Sequence, residues 1–388
     1  MDPNDFHPDS PGILVPIDKG TMAYVPNLLP PPLKLTDEIQ VANDRAMLVL
    51  GALEATVSAL PNRDLATSPL LRREAVLSSR MEGTHTSVAE LYRYEAEGGV
   101  DEGDADRRDA KEVLNYVRAL SKGLEQLKEI PICGRLIREM HRTLMAHVRG
   151  SEKQPGEFRL VQNYIGSRFV PPPPDRVESL MADLERYVND PQDALPMLVR
   201  VALVHYQFET IHPFCDGNGR LGRLLIALML CQSQMLSGPF LYISASFERN
   251  KSEYVDRLLN VSQTGDWAAW VLLFLRAVRA EADDTVRRIG TLLQLRETMR
   301  LAFQKRSGSS VSTLHLIDSL FVSPIISVPK AQAVLGGMSY RGALKNVEKL
   351  IQSGYLRPID VLGRTQWYLS QPIVDVLNEP MREEGGQA

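Results

Sequence analysis

The sequence predicts an all-α protein: a helical core carrying one small β-hairpin, followed by a C-terminal module of short helices and strands. Three observations predict it. Apolar residues recur at helical spacing through most of the 388 residues. A single stretch, near 161–170, reads as β. A Ser307-Gly308-Ser309-Ser310 run has the composition of a linker and sets the last segment apart.

Residues Met1–Pro32, rich in proline, read as an extended arm that lies on the body or stays mobile. Helical periodicity begins near Asp37, runs through Met47, Leu50, Leu53 and Val57, and stops at Pro61-Asn62. The next segment ends in Ser78-Ser79-Arg80-Met81-Glu82-Gly83. Ser78 and Glu82 are four apart, hence on one helical face, and Gly83 suits a helix stop. Glu95 to Arg107, acidic and containing glycine, reads as an exposed loop. Helical spacing resumes from Asp109, and a further helix after Pro131 carries Leu136, Met140, Leu144 and Val148 on its buried stripe. His141 and His147 have no second ligand at metal spacing and read as surface or capping residues.

Val161–Gly166 and Phe169-Val170 read as two strands about a glycine turn, ended by Pro171–Pro174. A helix with Val177, Leu180, Met181, Leu184 and Val188 leads to one from Leu195 to Thr210 that is apolar nearly all round, and so central to the core. His205, on that helix, reads as a buried, hydrogen-bonded residue. With His212 and Asp216 it makes a poor zinc signature, because the HExxH spacing is absent. Residues from Trp267 to about Arg306 read as a helical pair joined near Gly290. Beyond the linker, Leu314–Leu320, Lys330–Leu335 and Tyr340–Ser353 read as helices with a Gly336-Gly337 turn, followed by strands at Tyr355–Ile359 and Thr365–Leu369 joined through Gly363. This order resembles a winged helix. Arg341, Lys345 and Lys349 charge its third helix and Glu348 dilutes them, which favours docking of a protein partner or a second subunit over DNA. The segments expected are thus 1–105 (arm and helical region), 106–306 (core), 307–375 (module) and 376–388 (disordered tail).

The chemistry is concentrated in His212-Pro-Phe-Cys-Asp-Gly-Asn-Gly-Arg-Leu-Gly-Arg223. Gly217 and Gly219 lack a Cβ and let main-chain N–H groups approach an anion closely. The apolar run from Leu221 to Leu230 starts a helix there, adding the unpaired N–H groups and positive dipole end of its first turn. Arg220 and Arg223 are three apart, near one helical face, and can fork onto phosphate oxygens. Asp216 is a hard oxygen donor, and one carboxylate plus substrate phosphates commonly holds Mg²⁺. His212, just before the loop, is the side chain suited to taking a proton near neutral pH. Each feature alone has a bland explanation; together they describe a polyphosphate site. The loop lacks the Lys-Ser/Thr ending of a P-loop and does not follow a strand, which excludes a P-loop NTPase.

This stretch resembles the motif of the Fic family, His-Pro-Phe-x-Asp/Glu-Gly-Asn-Gly-Arg-x-x-Arg, with every specified position filled. The resemblance implies a mostly helical enzyme that transfers AMP from ATP to a Ser, Thr or Tyr hydroxyl of a target protein, using Mg²⁺ and releasing pyrophosphate. It implies His212 as the base and Asp216 as the metal ligand. It places Gly217, Asn218, Gly219, Arg220, Leu221, Gly222 and Arg223 about the phosphates, with Phe214 anchoring the loop. Tyr254 matches, loosely, a position lining the adenine pocket; residues about 161–173 match the flap that registers the target by strand addition. Ser78, Glu82 and Gly83 resemble the family's inhibitory motif, Ser/Thr-x-x-x-Glu-Gly/Asn, in its N-terminal form. Glu82 would then pair with Arg223 and withhold it from the γ-phosphate, or position a water that removes AMP from a modified target.

Composition limits the alternatives. A formal charge of −4 offers no bulk attraction to nucleic acid or anionic membrane. Cys133, Cys215 and Cys231 are odd in number and unpaired in spacing, so they form no disulfide framework, and Cys215 fills the variable motif position as a small residue. Met1–Gly20 lacks the pattern of a signal peptide and no run is apolar for long enough to span a bilayer, so a soluble, cytoplasmic protein is expected. A homodimer is compatible with this reading. The competing class is a DNA-binding transcriptional regulator using the winged module, with the nucleotide site as a sensor.

Overall fold

In the computed structural model, residues 1–60, 62–99, 105–304, 311–359 and 365–381 are described. In chain order the elements begin with β1 (Gly12–Pro16), β2 (Met22–Pro26), α1 (Asp37–Ser58), α2 (Asp64–Arg80), α3 (Val88–Ala96) and α4 (Ala105–Gln126). There follow α5 (Gly134–Leu144), α6 (Pro174–Val188), α7 (Met197–Ile211), α8 (Asn218–Gln232), α9 (Ser244–Arg249), α10 (Lys251–Thr264) and α11 (Trp267–Gln304). The last are α12 (Val311–Val322), β3 (Ile325–Ser327), α13 (Val328–Val334), α14 (Tyr340–Gln352), β4 (Arg357–Pro358), β5 (Trp367–Leu369) and α15 (Gln371–Asn378). The expected all-α class holds. The chain forms two units that cross the segment boundaries read from the sequence. One comprises Met1–Glu54, Leu77–Thr84 and Asn115–Ala282; the other comprises Ala55–Val76, His85–Leu114 and Asp283–Ala388.

The first unit is built around α7, buried on all sides from Leu198 to Phe208, as its unbroken apolar run demands. It packs against α6, α8 and β2, and Trp270 donates its indole N–H to the Ala202 carbonyl at 2.9 Å. Side chains such as Leu203 and Phe208 are wholly buried, each contributing about 2 kcal/mol from removal of apolar surface. The N-terminal arm is more ordered than expected: β1 and β2 pair antiparallel with Leu14 opposite Tyr24, and Tyr24 is fully buried.

The expected hairpin at 161–173 is the main departure in this unit. Among the described residues it contains only an isolated bridge between Ile165 and Phe169. The prolines that end it supply no N–H donors for a ladder, and side chains hold the loop instead. Gln162 donates to Pro171 O at 2.9 Å and Asn163 to Phe214 O at 2.8 Å.

In the second unit α12, α13 and α14 pack together, and β3, β5 and β4 form a small antiparallel sheet with β5 in the middle. The three helices and two strands expected beyond residue 310 are present, with β3 and α15 additional. The chain does not break at Gly290: α11 continues through it, since a mid-helix glycine costs only about 1 kcal/mol and Ile289 and Leu292 are buried on either side. The tail starts later than expected, because residues 376–378 close α15 and Leu377 is fully buried. The 307–310 linker, Gly363 and residues 382–388 lie outside the described residues. Among the described residues no helix is long and apolar enough to cross a membrane.

Candidate active site

The motif turn is assembled from its ends inward. His212 ends α7 in the left-handed region, with φ 50°, and Gly217 opens α8 with φ 76°. Both reversals lie within six residues, so the chain between them has to be tied to itself. Asn218 does this: Oδ1 accepts from Phe214 N at 2.9 Å and Nδ2 donates to Phe214 O at 2.8 Å. Phe214 is fully buried beneath, anchoring the turn as the resemblance implied.

His212 and the start of α8 share one cavity of about 590 Å³, whose walls include Glu82, Phe169, Glu209, Gly219, Arg223 and Tyr254. The His212 ring faces the backbone carbonyl of Glu209, with Nδ1 at 3.3 Å. A carbonyl can only accept, so Nδ1 carries the proton and Nε2 keeps its lone pair. Burial holds the imidazole well below its usual range, at about 4; the Glu209 carbonyl opposes this and Arg159 adds to it. The ring is therefore neutral at pH 7, in the tautomer a base requires.

Arg223, in the cavity wall, reaches toward residues 78–82. Its Nε donates to Ser78 Oγ at 2.8 Å, and Nη2 donates to Ser78 O at 2.9 Å and Glu82 Oε1 at 2.8 Å. Burial would raise the Glu82 carboxyl, but the charge and hydrogen bond of Arg223 hold it below the usual carboxylate range. Its side chain is 35% exposed while that of Arg223 is 1% exposed, so the carboxylate stands at the cavity wall on a buried cation. The end of α2 places it there. Gly83 N donates to Arg80 O and Thr84 N to Ser79 O, with Gly83 at φ 91°: a Schellman end whose capping residue is Glu82. Lys251 Nζ, donating to Met81 O at 2.5 Å, holds the same turn. A Cβ on Gly219 would lie 2.4 Å from Glu82 Oε1, so the Glu82 carboxylate sits directly over the α8 N-terminus.

The remaining residues singled out in the sequence fall into two groups. Asp216 Oδ1 accepts from Gly217 N at 2.7 Å and Oδ2 pairs with Lys153 at 3.3 Å; buried Arg220 lies 3.8 Å from Oδ1. Asp216 fits a Mg²⁺ that takes most of its ligands from phosphate and water, as an oxygen donor beside an anion site. Among the described residues no cluster of three or more His, Cys, Asp or Glu forms a cage of its own. Three other motif residues are committed to the fold of the turn. Asn218 spends its side-chain amide on Phe214; Leu221 is wholly buried with its N–H on Gly217 O; Gly222 packs against the Glu209 carboxyl. These three build the helix start, whereas Gly219 and Arg223 face the cavity. Tyr254 lines the cavity but stacks on Phe247 at 4.3 Å and sends its hydroxyl to His205 Nε2 at 2.9 Å. His205, buried and hydrogen-bonded as expected, donates through Nδ1 to Gly222 O.

Two supports of the turn are absent from the sequence reading. Arg159, 1% exposed, donates to the carbonyls of His212 at 2.8 Å, Val161 at 3.1 Å and Pro172 at 2.5 Å. Nothing in its local pattern marks it, because loop arginines usually face water. His141 is a correction: it is buried, not at the surface, and stacks on Phe214 with ring centroids 3.8 Å apart. A signal was present, since His141 follows Ile137 by four and precedes Leu144 by three, which puts it on the apolar stripe of α5. Glu209 was also unmarked. Its carboxyl lines the cavity and burial lifts it to about 7, Arg223 opposing and Glu82 reinforcing the rise.

Comparison with known proteins agrees with this geometry. Residues 131–230 match the model of the Fic/DOC family, and residues 41–125 match that of the Fic/DOC family N-terminal region. The chain is 26% identical over 319 residues to a probable protein adenylyltransferase of Aquifex aeolicus, covering 81% of this chain and 90% of that protein. It is 32% identical over 212 residues to the protein adenylyltransferase Fic of Drosophila willistoni, covering 52% of this chain but only 41% of the relative. The crystal structure of a Fic family protein from Desulfovibrio desulfuricans G20 superposes with a TM-score of 0.55 at 22% identity, covering 88% of this chain and 98% of that one. Fic-1 from C. elegans (residues 134–508) gives 0.51 at 22% identity, over 66% of this chain and 74% of that one. Two matched segments, a completely filled motif and a shared fold identify residues 41–125 and 131–230 of this chain as Fic/DOC family segments.

Proposed function

We propose that the protein is an adenylyltransferase that moves AMP from ATP to a Ser, Thr or Tyr hydroxyl of a target protein, and that Glu82 holds it in check. The observation that carries this reading is the single cavity in which the free Nε2 of His212 stands beside the α8 N-terminus and Arg223. The names of the Aquifex and Drosophila relatives support it.

In this reaction the target hydroxyl gives its proton to His212 Nε2 as its oxygen bonds to the α-phosphorus. The bond from that phosphorus to the bridging oxygen breaks, and pyrophosphate leaves with the electron pair. The first-turn N–H groups of α8 and the guanidinium groups of Arg220 and Arg223 orient the phosphates and stabilise the charge that develops on them. Mg²⁺, when bound, would be held by Asp216 and would neutralise phosphate charge. Leu160, Val161 and Tyr164, which are exposed, offer the target an apolar rim beside the cavity.

The Glu82–Arg223 pair supports inhibition on electrostatic grounds. A carboxylate over the helix N-terminus occupies anion space, and the arginine it holds is withdrawn from phosphate. The three helices and small sheet of the second unit support a winged-helix-like module for protein docking. The deciding experiment incubates wild type, Glu82→Gly and Glu82→Gly/His212→Ala with mixed nucleotides and records product masses. AMP adducts that increase in the single variant and vanish in the double support the reading; adducts independent of His212 reject it.

A further inference from the structure

We propose that His141, on α5 and outside the motif, is a positioning residue for the transfer reaction: its ring ties the Asp216 turn to the segment that leads into the 161–173 loop. Three contacts fix the ring. Nε2 lies 2.9 Å from the Asp216 carbonyl, Nδ1 lies 2.8 Å from Gly156 N, and one face stacks on Phe214 with planes 9° apart. The partners leave one tautomer. The carbonyl can only accept, so Nε2 carries the hydrogen; the amide can only donate, so Nδ1 carries the lone pair.

The same short segment is tied to both residues that the reaction needs. Arg159, three residues after Gly156, donates to the carbonyl of His212. His141, bound to Gly156, donates to the carbonyl of Asp216. The proposed base and the metal-side carboxylate thus share one backbone reference, and a sub-ångström shift of either is resisted by buried and part-buried hydrogen bonds. Gly156 is constrained as well: its φ is 85°, in the left-handed region that favours glycine. A carboxylate whose backbone is released loses its aim without losing its charge, and the loss of such an outer support costs about tenfold to a hundredfold in activity or metal affinity.

The kinetic arm of the test rests on the proposed transfer activity; the structural arm does not. His141→Gln keeps an amide donor near the Nε2 position, whereas His141→Asn keeps an acceptor near Nδ1 and loses the donor, and His141→Met fills the volume with neither. Each is made in the full chain with Glu82→Gly, checked by thermal melting, and measured for hydrogen exchange of residues 213–220 and for the kcat and KM of transfer. The expected result is faster exchange in the Asn and Met variants. Their kcat falls tenfold or more while KM for ATP moves less than threefold, and Gln stays within about threefold of the parent. Gln and Asn variants that behave alike, or turn exchange equal to the parent in all three, overturn the proposal, as does faster exchange without a kinetic effect. If the parent transfers no nucleotide, the proposed function fails by itself, and the exchange comparison alone decides whether His141 holds the turn.

Discussion

Arg223 carries the regulatory argument at the scale of single residues, because its guanidinium donates to Ser78 and Glu82. Glu82→Gly removes one acceptor and the charge over the α8 N-terminus, so transfer is expected to rise by tenfold or more in an adduct assay; a rate equal to wild type would reject inhibition. Ser78→Ala leaves Nε of a buried guanidinium without its acceptor, a loss of about 1–3 kcal/mol, and should give a smaller rise. As the proposed base, His212 sets the pH dependence. Its imidazole is held down at about 4, so lowering the pH from 8 to 6 leaves the base unprotonated. In the Glu82→Gly variant kcat/KM should show no acid limb centred near the ordinary histidine value of 6.5; such a limb would show a base with an unshifted pKa. The turn from His212 to Arg223 was legible beforehand because its residues follow one another in the chain. Arg159 and His141 were not, since both reach the turn from other segments and only folding brings them there.

Elements transmit these placements, and the end of α2 is the clearest case. Glu82 is a capping residue of a Schellman turn, so its aim depends on the left-handed glycine that follows. Gly83→Ala meets no atom within 4 Å of its new Cβ, so the substitution tests backbone conformation alone. Holding alanine in the left-handed region costs about 1–2 kcal/mol. The α2 end should fray, and transfer should rise toward that of Glu82→Gly with little change in melting temperature; unchanged transfer would show that Lys251 on Met81 O suffices to hold the turn. Periodicity revealed α1, α6 and α7 because their buried faces are long. It misread Gly290, where packing of Ile289 and Leu292 outweighs one glycine, and it misread 161–173, where side-chain amides and a guanidinium satisfy carbonyls that a ladder would otherwise take.

Acid sensitivity belongs to the scale of the whole molecule, because it sums over groups that local contacts hold separately. His141 and His205 are buried and His212 half-buried near the turn, and desolvation is the leading cause that lowers each, to about 4, 3 and 4. A folded-state pKa below the unfolded value means that unfolding takes up a proton between the two. Each imidazole therefore contributes stability that is present above the unfolded value of 6.5 and is lost as pH falls toward 4. Glu209 acts in the opposite sense: raised from 4.5 to about 7, it binds a proton in the folded state and its contribution is lost as pH rises through 7. Three uptakes against one release leave two protons, and stability should fall on acidification by at most about 3 kcal/mol per pH unit between pH 6 and 5. The groups lie in the unit that contains Trp267 and Trp270, while Trp367 lies in the other. Urea unfolding of a Trp367→Phe variant, followed by tryptophan emission, isolates the relevant transition. Its midpoint should drop steeply between pH 6 and 5, and His205→Gln, which removes one imidazole and leaves the turn residues in place, should flatten that dependence by about one proton's worth. A midpoint independent of pH across this interval would show that the three rings are already protonated in the native protein, and the tautomer that makes His212 a base would then be untenable.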